Sequence, residues 1–565
     1  MAAPDDPALP SDSAPMPAAG EGALPLDRRG FLQAAATGAA AVLGLGSATL
    51  APSPAQAKKP PKPGPAPSST PAPRIGPALS TRIEAAQLAA RRPRVVHVAN
   101  GEEQDYPYIA NYSKALPHDA LGQVDPAAYQ ALLRALGTGS PADFEAIPLG
   151  LGRRLTSPQA GLAFDLEGPD SHHVAIRPAP RIDGPENSSE IAELYWMALA
   201  RDVYFEDYAA DPVANAAAAD LSGFSDFRGP KQGGAVTPAT LFRGDTPGDL
   251  AGPYLSQFLW LDVPYGVQTI SQRGETTLPG IDHLTDYGTW LAAQNGADLA
   301  GGDAIDPVRR YVRNLRDLAH WVQVDALYQA YLNACLILLR LDCPPNAGNP
   351  LNGSATQIGF AEWGGPHILS LLTEVATRAL KAVWFQKWFV HRRIRPEAMG
   401  GLLHNHVTGA ALAPIDGEIL DSPVLDEVAS LYGTHLLPQA YPDGSPTHPS
   451  YGAGHATVAG ACVTILKAWF DESFDLPSPV VASADGLSLV PYAGPPLTVR
   501  GELDKLACNI ATARNAAGIH WRTDYSESVR LGERVAIGVL EEQALCHNQL
   551  PHFAFTSFDG AAIVI

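Results

Sequence analysis

The chain has 565 residues, a formal net charge of -20, and 46% hydrophobic against 17% charged residues. That length can bury a large core, as one large domain or two closely packed ones, and the balance is that of a globular rather than a disordered protein. The acidic excess argues against nucleic acid or an anionic membrane surface as the main partner, while leaving room for a local cationic pocket.

Residues 1–57 read as a leader. Arg28-Arg29 stands ahead of an Ala/Gly/Leu-rich run from Ala34 to Ala51, and the stretch ends in Ala55-Gln56-Ala57. That order predicts a twin-arginine export signal, and so a periplasmic or secreted mature protein. Residues 58–77 are dense in proline and read as an extended tether. Residues 78–188, rich in Pro, Gly and short apolar pieces, read as irregular wrapping with a few short helices. From Ser189 onward Ile191, Leu194, Tyr195 and Ala198 recur at helical spacing and open a helical region that runs to residue 565.

Within it the run from Val322 to Leu341 is apolar nearly all round, as for a central helix of a bundle. Further helices are expected over Leu369–Arg393, from about Ala456, over Leu503–Ala517 and over Ser526–Cys546. No later stretch is apolar for long enough to span a bilayer. The fold class is therefore all-α (mainly α), stacked bundles with few short strands, and the chemistry lies in the C-terminal half. Five cysteines without a CxxC pair signal neither a disulfide framework nor a zinc site.

Three segments carry unusual residue combinations. Lys387 and Arg395 are eight apart, a little over two helical turns, so both can address one side of a helix that Pro396 then ends. His448-Pro-Ser-Tyr-Gly-Ala453-Gly454-His455 puts glycines of unusual backbone freedom before an apolar helix, whose first amides can bind an oxyanion. Arg514 is followed by Gly518, His520 and Asp524, the last an N-cap for the next helix or a carboxylate orienting a histidine. Each segment also has a purely structural reading: a cationic helix end, a glycine turn, a cap. Together they supply three cations, helix-start amides and two histidines, a set suited to a tetrahedral or trigonal-bipyramidal oxyanion.

K-x7-RP, then PSYGAGH, then R-x5-H-x3-D resembles the vanadium-dependent haloperoxidases and the related type 2 phosphatidic acid phosphatases. The likeness to the bromoperoxidase branch extends through LYWMALARDV, FRGDTPGDLAGPYLSQFL and GGPHILSLLTEVATRALKAVWFQKWFVHRRIRPE, covering roughly Ser189 to Glu542. The resemblance implies that Lys387, Arg395 and Arg514 hold vanadate, with a backbone amide from Gly454. It implies that His520 ligates vanadium, that His455 is the acid–base histidine, and that Trp384 and His448 line the halide pocket. Hydrogen peroxide, bromide or iodide and a small organic acceptor are the implied substrates, and a homo-oligomer the implied assembly. Vanadium is expected to stay in its +5 state as a Lewis acid while Lys387 polarises peroxide. The pattern departs from the family at Ala453, where a serine is usual, and Ala513 stands where many relatives have a small hydroxyl residue or glycine. Two other functions fit the same pocket: a phosphatase acting through a phosphohistidine at His520 with Asp524 orienting it, and an inactive oxyanion-binding protein.

Overall fold

A computed structural model describes residues 73–299 and 301–565. The twin-arginine signal and most of the proline-rich tether lie outside the described residues. The helices that matter for the site are labelled here in chain order: α1 (Ile75–Arg91), α2 (Pro126–Thr138), α3 (Pro185–Leu199), α4 (Leu315–Val324), α5 (Gln329–Arg340), α6 (Gly365–Phe385), α7 (Pro396–Val407), α8 (Gly454–Trp469), α9 (Val499–Ala516) and α10 (Arg522–Cys546). Strands among the described residues form three two-stranded antiparallel ladders, such as Val263–Tyr265 against Gln268–Ile270.

The centre of the fold is α8, in which every residue except His455 is buried. Its sequence, GHATVAGACVTILKAW, has no polar face, and a helix apolar all round must be enclosed on all sides. The long helices α6, α9 and α10 enclose it. Small residues set how closely they approach: a Cβ at Gly460 would lie 1.9 Å from the Val529 carbonyl oxygen, and one at Gly532 lies 2.0 Å from that of Thr457. The α8–α10 crossing is thus a backbone-to-backbone contact.

The single central helix expected from Val322 to Leu341 is instead two. The chain leaves α4 at Asp325 and re-enters helix at Gln329, with a bend of 98° between α4 and α5. Apolar periodicity runs through the break, which is why sequence did not show it. No single helix among the described residues is long and apolar enough to cross a membrane.

Upstream, α1 begins inside the segment read as tether, and α2 is a regular helix capped by Asp125, whose side chain accepts from Ala128 N–H at 2.8 Å. Helix α3 starts at Pro185, four residues before the expected onset, and buries Glu186, Glu190 and Glu193. Those acids meet buried arginines: Glu190 pairs with Arg393 at 2.7 Å, and Glu193 accepts from Arg522 Nε at 2.8 Å. Buried ions this well paired fix the seating of α3 on the C-terminal bundle, because removing either partner strands the other. Cys335, Cys462 and Cys508 are buried free thiols.

Candidate active site

At Gln386 helix α6 widens into a π-helical turn, Gln386–His391, which closes at Arg392 in the left-handed region (φ 43°). Single π turns inside α-helices are uncommon and cluster at functional sites. Lys387 sits on this turn, fully buried, and its Nζ donates to the carbonyl oxygens of Pro449 (2.8 Å) and Ser450 (2.9 Å). The ammonium also lies 5.7 Å from the Trp384 ring centroid. Burial, and then the neighbouring Arg395, press the Lys387 ammonium well below its usual range.

Arg395 reaches the same place by a different route from the one its spacing implied. It is not on the helix of Lys387. It is the N-cap of α7, with extended backbone (φ -79°, ψ 149°), and Pro396 opens α7 instead of closing the previous helix. A chain reversal, and not two helical turns, brings the cations together. Arg395 spends four donor bonds there. Nε donates to the His448 carbonyl and Nη2 to His448 Nδ1, both at 2.8 Å, while Nη1 meets the Ile519 carbonyl at 2.8 Å and His520 Nε2 at 3.0 Å. Burial lowers its pKa to about 10.

His520 stands in the connection between α9 and α10, after Gly518 has turned the chain at φ 84°. Asp524 is the third residue of α10, so it caps the helix from its first turn and not from the N-cap position. Its Oδ2 accepts from His520 Nδ1 at 2.6 Å, from the Trp521 N–H at 3.2 Å and from Ser450 Oγ; its Oδ1 accepts from Arg393 Nη1 at 3.2 Å. Arg393 is fixed in turn by Glu190 and Asn187 and lies 4.4 Å over the Trp521 ring. With its Nδ1 proton given to a carboxylate, His520 keeps a lone pair on Nε2, the nitrogen that faces Arg395. Burial first, then Arg395 and Lys387, hold His520 well below the usual histidine range, so it is neutral at pH 7.

The loop before α8 supplies the other wall. Gly452 and Gly454 are not in the left-handed region. At 452 a Cβ would stand 2.3 Å from Ser528 Oγ, so any side chain there would displace that hydroxyl. Ser528 Oγ accepts the Ala453 N–H at 2.8 Å. Ala453 is the N-cap of α8 and offers no side-chain bond, so the first amides of the helix, beginning with Gly454, are left for another acceptor. His455, the second residue of α8, places Nε2 3.0 Å from Asp325 Oδ1. Burial and then Arg514 lower its pKa, and Asp325 opposes that shift.

Arg514, near the end of α9, donates from Nη1 to the Val322 carbonyl at 2.8 Å, and its Nε is buried with no partner. Arg514 and Tyr441 border a cavity of about 360 Å³ that Asp303 and Asp443 also line. The His448 ring lies tilted against that of Trp384, at 43° and 4.8 Å between ring centroids.

The structure thus gathers Lys387, Arg395, Arg514, His448, His455, His520, Asp524, Trp384 and the Gly454 turn around one buried locus. Three residues in it escaped sequence reasoning. Asp325 lies in a run that reads as uninterrupted helix, 130 positions from its partner. Ser450 sat inside a recognised segment without an assigned role, and Arg393 read only as part of a basic helix end. The buried acids of α3 were the one available signal for Arg393.

A family model for the second helical-bundle domain of VCPO matches residues 368–548. The vanadium-dependent bromoperoxidase of Corallina officinalis is 39% identical over 587 residues, covering 86% of this chain and 98% of that one. The corresponding enzyme of Ascophyllum nodosum is 37% identical over 518 residues, covering 87% and 92%. Among solved structures, the homohexameric second vanadate-dependent bromoperoxidase of Ascophyllum nodosum superposes with a TM-score of 0.84 at 28% identity, over 93% of this chain and 95% of that one. With the buried cations, the carboxylate-held histidine and the enclosed bundle already in place, these likenesses decide the family: the chain belongs to the vanadium-dependent bromoperoxidases.

Proposed function

We propose that this chain uses bound vanadate and hydrogen peroxide to oxidise bromide or iodide to hypohalous acid, which then halogenates small organic acceptors. The observation that carries the reading is His520: its Nδ1 is committed to Asp524, and its Nε2 lone pair lies among Arg395, Lys387 and Arg514. A neutral imidazole held by a carboxylate is the usual form of a metal-ligating histidine.

Vanadate fits this site on independent grounds. Lys387, Arg395 and Arg514 are buried together, and none of them forms an ion pair with a carboxylate among the described residues. The buried Arg514 Nε lacks an acceptor, and the first turn of α8 presents amides without a side-chain cap. When bound, vanadate supplies a Lewis-acid centre that draws electron density from peroxide oxygen and makes it open to attack by halide. Lys387, Arg395, Arg514 and the Gly454 amide would hold it, and His520 Nε2 would ligate it.

The chain's own residues do the rest. Lys387 is pinned by two carbonyls and keeps one N–H for a ligand oxygen. His455, donating through Nε2 to Asp325, keeps a basic Nδ1 that takes a proton from peroxide and returns it to the departing oxygen. Trp384 and His448 form an aromatic wall beside Lys387, apolar enough to strip water from a large, weakly hydrated halide. The enclosing bundle keeps bulk water from the cations, which strengthens their hold on an anion.

The deciding assay is peroxide-dependent halogenation of a chromogenic acceptor by protein stripped of anions, with bromide, iodide and chloride tested separately. Activity that needs orthovanadate and is suppressed by phosphate supports the proposal. Phosphate-ester hydrolysis without halogenation replaces it with a phosphatase using His520 as nucleophile, and vanadate binding without turnover replaces it with an inactive binder.

Ala453 tests the departure from the family. A serine at this N-cap would add a hydroxyl to the first turn of α8. Bonds to charged groups contribute about 1.5–3 kcal/mol, so Ala453→Ser is expected to tighten vanadate binding by about tenfold or more. Equilibrium dialysis checks this, and unchanged affinity would show that the other donors already satisfy the anion. Export by the twin-arginine route is also proposed, on Arg28-Arg29 and the Ala55-Gln56-Ala57 site; an intact mass beginning after Ala57 in the exported fraction would support it.

A further inference from the structure

Helix α1 has 17 residues and not one of them is buried. Ile75, Leu79 and Ile83, spaced four apart along one stripe, are 85%, 60% and 48% exposed. A helix of this length is marginal in water without packing on an apolar face. It lies beside α10, and Arg92, just past its end, bonds Glu541 at 2.8 Å and Glu542 at 3.2 Å.

The next segment repeats the deficit in another form. Residues 93–99 belong to no helix or strand, and none of their backbone N–H or C=O groups makes a hydrogen bond among the described residues. Val96 and Val98 are 80% and 50% exposed. Exposed apolar side chains at alternate positions of a backbone without hydrogen-bond partners are what an added strand or helix seeks. The five aliphatic side chains together expose roughly 500 Å², which, met by an equal area, approaches the ~1,000 Å² expected of a specific interface.

Charge indicates the occupant. Residues 73–99 carry Arg74, Arg82, Arg91, Arg92 and Arg94 against Glu84 alone, on a chain whose net charge is -20. Arg92 is met by Glu541 and Glu542 of its own chain, whereas Arg74, Arg82, Arg91 and Arg94 form no ion pair among the described residues and are left to meet the acidic surface of another copy.

We propose that residues 73–99 form an exchange arm that docks on a second copy of this chain, apolar stripe and Val96/Val98 segment inward, and that it holds the oligomer together. The homohexameric relative makes self-association a reasonable state, but this inference concerns which surface mediates it. It rests on the haloperoxidase reading only for that analogy.

The test is the mass of the full chain in solution by light scattering behind gel filtration, at micromolar concentration, with no activity readout involved. The wild type should be oligomeric. Leu79→Glu/Ile83→Glu should at least halve the mass, whereas Val267→Glu, on a side chain fully exposed in a remote hairpin, should leave it unchanged. Val96→Glu/Val98→Glu, which leaves the helix sequence intact, serves as a second disruption with the same expected loss. An assembly that survives both pairs overturns the proposal. So does a monomeric wild type whose arm resists hydrogen exchange, which would assign the cover to residues 1–72. A monomer that sediments with anionic phospholipid vesicles also overturns it, in favour of a membrane surface.

Discussion

Asp524→Asn is expected to weaken vanadate binding by 10- to 100-fold, with a loss of halide oxidation at least as large. The carboxylate faces donors on both oxygens: His520 Nδ1, the Trp521 N–H and Ser450 Oγ on one, Arg393 Nη1 on the other. An asparagine offers one acceptor oxygen. If that oxygen stays with His520, its NH2 group is pushed against the Arg393 guanidinium. If the amide turns over, NH2 faces His520 Nδ1 and moves the imidazole proton to Nε2, which removes the lone pair that would bind the metal. Either way the negative charge that makes His520 a strong donor is gone. The fold should survive, because Arg393 keeps Glu190 and Asn187. A stability loss of about 1–3 kcal/mol is expected from the unmatched donors. Vanadate titration followed by ⁵¹V NMR, beside a denaturant curve, separates the two effects. An unchanged affinity would mean that His520 does not ligate through the nitrogen opposite Asp524.

What could be read from the sequence divides along the same lines as the site. The cations and histidines were legible because they fall in three short segments whose residue types have few structural uses in combination. The reason given for one pair was incorrect in detail: Lys387 and Arg395 share a locus because a π turn and a left-handed Arg392 reverse the chain, and helical spacing has no part in it. Helix ends after residue 450 match expectation within a residue, at Ala516 beside Gly518 and at Cys546, whereas α9 and α10 start at Val499 and Arg522, four residues before the expected Leu503 and Ser526. Asp325 was invisible for the opposite reason. Its neighbours are apolar on both sides, and a lone carboxylate in such a run reads as one residue of an unbroken helix instead of the 98° corner it occupies. Helix α1 was obscured by its proline-rich approach. The missing information was long-range in each case: which carboxylate meets which histidine is decided by the bundle, 130 positions apart for Asp325 and His455.

That hydrogen-bonded pair bears the second large effect. His455→Ala should lower kcat by 10²- to 10⁴-fold, the range of general acid–base catalysis, while changing vanadate affinity far less, because a neutral imidazole adds no charge to the cradle. The pH dependence follows from the cause of the shift. Burial and Arg514 hold the His455 pKa below the ordinary histidine value of 6.5, so its neutral form, the one able to accept a proton, predominates at pH 7. The acid limb of kcat in the wild type should therefore fall below pH 6.5. Asp325 acts in the other direction, since its carboxylate at 3.0 Å favours the imidazolium. Replacing it with asparagine removes that support, and the limb should move to still lower pH. A purely structural role for Asp325 would reduce kcat evenly across the pH range and leave the limb in place. The profile of Asp325→Asn, measured with saturating vanadate beside the wild type, therefore distinguishes a carboxylate that tunes the acid–base histidine from one that merely closes the corner between α4 and α5.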